Sequence, residues 1–185
     1  MKSSRKRLCP ASHGDGWLIF SDLSAIERLD GYGKILVHQH GIEEGDLLFI
    51  HSVSGRNCIP VDMAEAAREK GARVIGITSI DYTKNVMSRH SSGKNLYECC
   101  DLVIDNRCPY GDALVKLDAS NQRVGPGSTT IGVSILNEIV VRTAERFDQA
   151  GFIPPVFSSA NVDHGDARNM EVYRLYKKNI RYKMV

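Results

Sequence analysis

No apolar run in this chain of 185 residues approaches the roughly 18 that cross a bilayer, which argues against a membrane-spanning helix. The basic start Met1–Arg7 runs into Cys9-Pro-Ala-Ser-His-Gly-Asp-Gly16 rather than an apolar stretch, which argues against a secretory leader. There is no Cys-x-x-Cys pair. The five cysteines (9, 58, 99, 100 and 108) form an odd set whose spacing fits neither a disulfide framework nor a zinc site. Reduced, mostly buried thiols in a cytoplasm, with no metal and no cofactor, are the expectation. Charge of one sign is scarce as well. A formal net charge of +2, with basic clusters only at Lys2–Arg7 and Tyr176–Lys183, lacks the basic face of a nucleic-acid binder. No Gly-x-Gly-x-x-Gly follows any apolar run, so the dinucleotide fingerprint is missing too.

The apolar content of 42% and charged content of 25% suit one soluble domain with a substantial core. Residues 1–16 show no periodicity and are read as irregular. Trp17–Phe20 is a short apolar run, with a helical turn or two over Ser21–Leu29 and a helix over Tyr32–Gln39. Leu47–His51 reads as a strand buried on both faces. Pro60 sits in the first turn of the helix that follows, and Gly71 stops it. Arg73–Thr78 reads as a second, parallel strand and Leu102–Asp105 as a third. A short helix over Lys94–Cys100 separates them, and Asp112–Leu117 is a candidate fourth strand. Gly125-Pro-Gly127 opens a long helix from about Ile131 to Gln149, with Ile131, Ile135, Leu136, Ile139, Val140 and Phe147 spaced for burial and Gly151 ending it. Val172–Ile180 reads as a last amphipathic helix. Strands alternating with helices imply an α/β fold with a parallel sheet covered on both faces.

Ligands bind such sheets outside the carboxyl ends of the strands, where three polar clusters fall. The first is Ser52-Val-Ser-Gly-Arg-Asn57. Ser52, Ser54 and Asn57 can donate to phosphate oxygens, and Gly55 permits a tight turn that exposes successive N–H groups at a helix start. Arg56 adds charge or points to solvent. By itself the turn reads equally as an ordinary helix cap. The second cluster is Thr78, Ser79 and Asp81 with the loop Ser88-Arg-His-Ser-Ser-Gly-Lys94. In it His90 is the first candidate for acid–base work, or else a surface histidine. His38 and His40 read as helix-face residues, and His51 as packed into the sheet. The third combines Asp105, Asn106, Ser128 and Thr129 with Asn161–Asp166. Ser128 and Thr129 open the long helix. Asp163 and His164 can assist proton transfer or simply shape a turn.

The strand, Ser52-x-Ser-Gly-x-Asn57, helix and Val74-Ile-Gly-Ile-Thr-Ser79 resemble the core of a SIS (sugar isomerase) domain. Ser88-Arg-His-Ser-Ser-Gly-Lys-x-Leu-Tyr97, Val103-Ile-Asp-Asn106 and Pro155-Val-Phe-Ser-Ser-Ala-Asn-Val-Asp163 narrow the resemblance to a bacterial branch described as phosphoheptose isomerases. It covers residues 28–180 and implies a three-layer α/β/α sandwich, homodimeric, with a SIS-like phosphosugar-binding domain over 28–185 and a divergent segment over 1–27. Ser52, Ser54, Gly55, Arg56 and Asn57 would hold the sugar phosphate. Thr78, Ser79 and Asp81, with Ser128 and Thr129, would line the substrate. For an aldose–ketose isomerisation, the residues themselves offer His90 as the base and Asp163 or His164 as the helper. Asn57 stands where the family has Ser or Thr. The family's leading βα unit, with its Gly-Thr-Gly-His-Ser-like turn, has no counterpart here, so the resemblance implies a chain that starts one unit late. A phosphosugar-binding sensor without catalysis, or a truncated paralogue, is the alternative reading.

Overall fold

Leu47–His51 (β1), Arg73–Thr78 (β2) and Leu102–Asp105 (β3) form a parallel sheet in the order β1-β2-β3. Its registers run from Leu47 opposite Arg73 to His51 opposite Ile77, and from Ile75 opposite Leu102 to Thr78 opposite Asp105. The computed structural model describes residues 20–179, and the chain divides after Ser128 into two compact units.

In the first unit, helices Phe20–Ile26 (α1) and Tyr32–Gln39 (α2) precede β1, and Cys58–Glu69 (α3) links β1 to β2. Two short helices, Ile80–Lys84 (α4) and Leu96–Cys99 (α5), lie between β2 and β3. α3 buries Val61, Ala64 and Ala67 completely, and the left-handed Gly71 (φ +83°) ends it. These side chains join Val37, Ile50, Val74 and Leu96 in one core. Fully burying a Val, Ile or Leu is worth about 1.5–3 kcal/mol each. The core holds rigid the carboxyl ends of β1 and β2, where the polar turns begin. A parallel three-stranded sheet with helices packed on it is thus the observed α/β architecture.

The fourth strand differs from the expectation. Ala113–Lys116 (β4) does not extend the parallel sheet but pairs antiparallel with Arg123–Pro126 (β5) in a separate two-stranded ribbon. From the sequence Gly125 and Pro126 open the long helix, whereas here they end a strand, with Gly125 left-handed at φ +75°. The hairpin is closed by the Leu117 N–H donating to the Gln122 carbonyl at 2.8 Å.

Ser128–Gln149 (α6), which belongs to the second unit from Thr129 on, starts three residues ahead of the expected Ile131 and ends before Gly151, whose φ is +76°. Its apolar positions are only partly covered; Val140 remains 55% exposed. The last helix, Gly165–Tyr176 (α7), begins seven residues before Val172, because Asp166–Glu171 carry no apolar period to reveal it. Asn169 pins it to the preceding segment, accepting from the Ser158 N–H at 2.7 Å and donating to the Ser158 carbonyl at 2.9 Å. The expectations for residues 1–19 fall outside the described residues.

Candidate functional site

The Ser52–Asn57 turn is stitched down by its carbonyls. The Val53 carbonyl accepts from the Ser79 N–H at 3.0 Å and from Thr78 Oγ1 at 3.1 Å. The Gly55 carbonyl accepts from the Leu96 N–H and the Arg56 carbonyl from the Arg89 N–H, both at 2.8 Å. The N–H groups are left over. Among the described residues, none of the backbone N–H groups of Ser54, Gly55, Arg56, Asn57 and Cys58 has an acceptor. The half-buried Ser52 and Ser54 hydroxyls have no partner there either, and Arg56 Nε is buried without one. Asn57 occupies the N-cap of α3 without capping it. A row of unpaired donors at a helix start is a concavity built for an anion.

Asn57 is engaged elsewhere. Its Nδ2 donates to Glu27 Oε2 at 2.7 Å, and its Oδ1 accepts from Arg89 Nη1 at 2.9 Å. Glu27 and Arg89 escaped the sequence reading. Arg89 stands beside His90 in the polar loop, where a lone arginine carries no spacing signal of its own. Burial, then the nearby Arg56 and Arg28, hold the Arg89 guanidinium below its ordinary pKa. Beside the turn, a cleft of about 220 Å³ is lined by Glu27, His51, Ser52, Asn57, Pro60 and Met63, among others. His51 therefore ends β1 at a cleft rather than inside the sheet packing. Partial burial holds its imidazole below the usual value, while Asp112 pulls the other way.

The remaining candidates divide. Thr78 and Ser79, expected to line a sugar, are fully buried. Ser79 Oγ donates to the Cys108 carbonyl at 2.6 Å and accepts from the Tyr82 N–H, so both residues brace the turns from inside. Asp81 lies on a separate cleft of about 570 Å³ with Lys84, Asp105 and Arg107. There burial raises the Asp105 carboxyl, but the N–H groups of Arg107 and Ile80 and the Arg107 guanidinium outweigh it, leaving a lowered pKa. Ser128 is locked by Asp112, which accepts its N–H at 2.8 Å and its hydroxyl at 2.7 Å. Thr129, Asp163 and His164 belong to the second unit and are exposed; His164, left-handed at φ 63°, precedes α7.

His90 is only 8% exposed. Its Nδ1 accepts from the Ser92 N–H at 3.1 Å, so its Nε2 carries the proton and donates to Asp62 Oδ1 at 3.2 Å. Asp62, 1% exposed, also accepts the Gly31 N–H through Oδ2 at 2.6 Å. The imidazole thus anchors the 87–94 loop to the α2–α3 junction. Among the described residues no His, Cys, Asp and Glu group together as metal ligands would.

Residues 9–79 match the SIS domain family, a stretch that takes in β1, the turn, α3 and β2 and stops at Ser79. Over these residues the chain is similar to a SIS domain. The match begins at residue 9, ahead of residue 28, where the recognisable motifs start. Relatives extend the likeness further along the chain. Over 159 residues it is 49% identical to the UPF0309 protein of Shouchella clausii and 48% identical to that of Oceanobacillus iheyensis. Each alignment covers 86% of this chain and 65% of the relative. A UPF0309 protein of Halalkalibacterium halodurans is 40% identical over 157 residues, 85% of this chain and 63% of its own. The chain thus spans a little under two thirds of these relatives' length. The SIS match takes in the very turn whose donors lack partners. No helix among the described residues is long and apolar enough to cross a membrane.

Proposed function

We propose that the Ser52–Asn57 turn holds the phosphate of a phosphorylated sugar and that the protein is an aldose–ketose isomerase of phosphoheptose-isomerase type. The observation that carries the binding half is the row of unpaired N–H groups and hydroxyls at the start of α3. A phosphate dianion offers three strong acceptor oxygens to such a row, where a neutral sugar hydroxyl offers one weak acceptor. Calorimetric titration with pentose, hexose and heptose monophosphates tests it. Binding that the unphosphorylated sugars lack, weakened roughly 10–100-fold by Ser54→Ala, is expected. Failure of the native protein to bind any of these phosphates would sink the reading.

The isomerase half requires a base near C1 and C2 of the sugar. His90, Asp163 and His164 are the candidates. Asp62 orients His90 as a carboxylate orients a catalytic imidazole, but the ring is enclosed, so proton transfer by His90 needs the 87–94 loop to lift. That enclosure favours the second reading, a phosphosugar-binding sensor. Proton–deuterium exchange at C2 separates the two. Exchange that is lost in His90→Ala while phosphate binding persists supports catalysis; binding without any exchange supports the sensor.

The proposal includes a three-layer α/β/α arrangement for a SIS domain over 28–185, a homodimer and a cytoplasmic setting. The absence of disulfides at Cys58, Cys99, Cys100 and Cys108 is consistent with that setting. A sedimentation mass of 20.5 kDa, that of a single chain, would remove the dimer from it.

A further inference from the structure

The geometry points to Arg89 as the cationic arm of the phosphate cradle, carried in by the 87–94 loop and held ready on Asn57. The inference rests on the reading of Ser52–Asn57 as a phosphate site and names a contact residue that lies outside that turn.

Backbone contacts fix the arm's root on both sides of Asn57. The Arg89 N–H donates to the Arg56 carbonyl at 2.8 Å, and the Arg89 carbonyl accepts from Cys58 Sγ at 3.2 Å. Replacing the side chain leaves both contacts in place. The guanidinium is aimed by the Asn57 amide. One end of an amide donates and the other accepts, so with Nδ2 on the Glu27 carboxylate at 2.7 Å, Oδ1 faces the Arg89 fork at 2.9 Å. A hydroxyl at position 57 could not divide its two faces in this fixed way. Asn57, with both ends occupied, acts as a positioning residue, and Arg89 supplies the donor that the side chain at 57 does not.

The charges lack an anion. Among the described residues, no carboxylate lies within ion-pair distance of Arg28, Arg56 or Arg89. Arg89 also sits at the start of a 12-residue helix, the end at which a cation is disfavoured. Burial and the repulsion of Arg56 and Arg28 act on it in the same sense. Repelling cations at a helix start are costly in the free protein, and a bound dianion removes the cost. A guanidinium fork matches two phosphate oxygens at once, which an ammonium cannot do. The ligand class that satisfies these groups together is a phosphate monoester.

Titrate inorganic phosphate and the sugar monophosphates into the native protein, Arg89→Gln and Arg89→Lys, at several salt concentrations. Arg89→Gln is expected to weaken phosphate binding roughly 10–100-fold and to flatten its salt dependence, with the thermal midpoint little changed. Arg89→Lys, which keeps the charge and loses the fork, falls between the two. A purely structural role for Arg89 would alter the midpoint but not the salt dependence. Native affinity and native salt dependence in Arg89→Gln overturn the inference. Should that variant not fold, native affinity in Arg89→Lys does the same. Weakening by Ser54→Ala without weakening at Arg89 removes the arm and leaves the cradle. No binding by the native protein removes both.

Discussion

At the scale of single residues, Gly55 is where backbone conformation and packing coincide. Its φ of +60° is left-handed, and a Cβ there would lie 3.1 Å from Thr83 Oγ1 and 3.2 Å from Leu96 Cβ and Thr78 Oγ1. Gly55→Ala is expected to cost about 1–3 kcal/mol of stability, the left-handed strain and the crowding acting together. Urea unfolding measures it, and a loss below a few tenths would show that the turn can relax. The sequence announced this glycine through the hydroxyls around it. It could not announce which hydroxyls stay free. Ser52 and Ser79 look alike as residues that follow apolar strands, yet Ser79 is consumed by the Cys108 carbonyl and the Tyr82 N–H. Which way the Ser79 hydroxyl turns is decided by a carbonyl 29 positions away, and that information is tertiary.

At the scale of elements, α2 meets α3 through Gly33. A Cβ at that position would stand 2.6 Å from Asp62 Cβ and 2.9 Å from the Met63 nitrogen, and would also strike the Ile59 carbonyl. Gly33→Ala should force the helices apart and cost about 1–3 kcal/mol despite the better helix propensity of alanine. A thermal midpoint equal to or above that of the native protein would contradict this packing. Because Asp62 also holds His90, the same variant should loosen the 87–94 loop, visible as faster proteolysis there. Element legibility followed periodicity. β1, α3 and β2 were readable because continuous apolar runs and an alanine-rich face are bounded by glycines. The β4–β5 hairpin is only half legible, since four-residue strands carrying Gly and Pro have no pattern to recognise. The start of α7 is hidden because its first turns are polar.

At the scale of the whole molecule, the buried thiols tie stability to pH. Burial, aided by nearby carboxylates, raises Cys58 and Cys99 from 9.0 to about 11 and, with Cys99 and Asp101 alongside, Cys100 to about 12. The folded state thus prefers the neutral thiol. Its contribution is intact below the unfolded value of 9.0 and drains away as pH rises through 11 to 12. Thiolate ultraviolet absorbance in the native protein should rise about two pH units later than in denaturant. Coincident titrations would rule this out.

The turn at the end of β1 spends its carbonyls on the protein and keeps its amide protons. This asymmetry gives a signature in isotope exchange. Amide protons normally exchange slowly where the backbone is rigid, because rigidity and hydrogen bonding go together. Here they part. The amides of residues 54–58 belong to a turn held through the carbonyls of Val53, Gly55 and Arg56, and among the described residues they still have no acceptor. They should take up deuterium nearly as fast as a loose loop, while those of β2 remain protected for far longer. A ligand that fills the turn should reverse the order, giving the five fastest protons in the neighbourhood the largest protection factors.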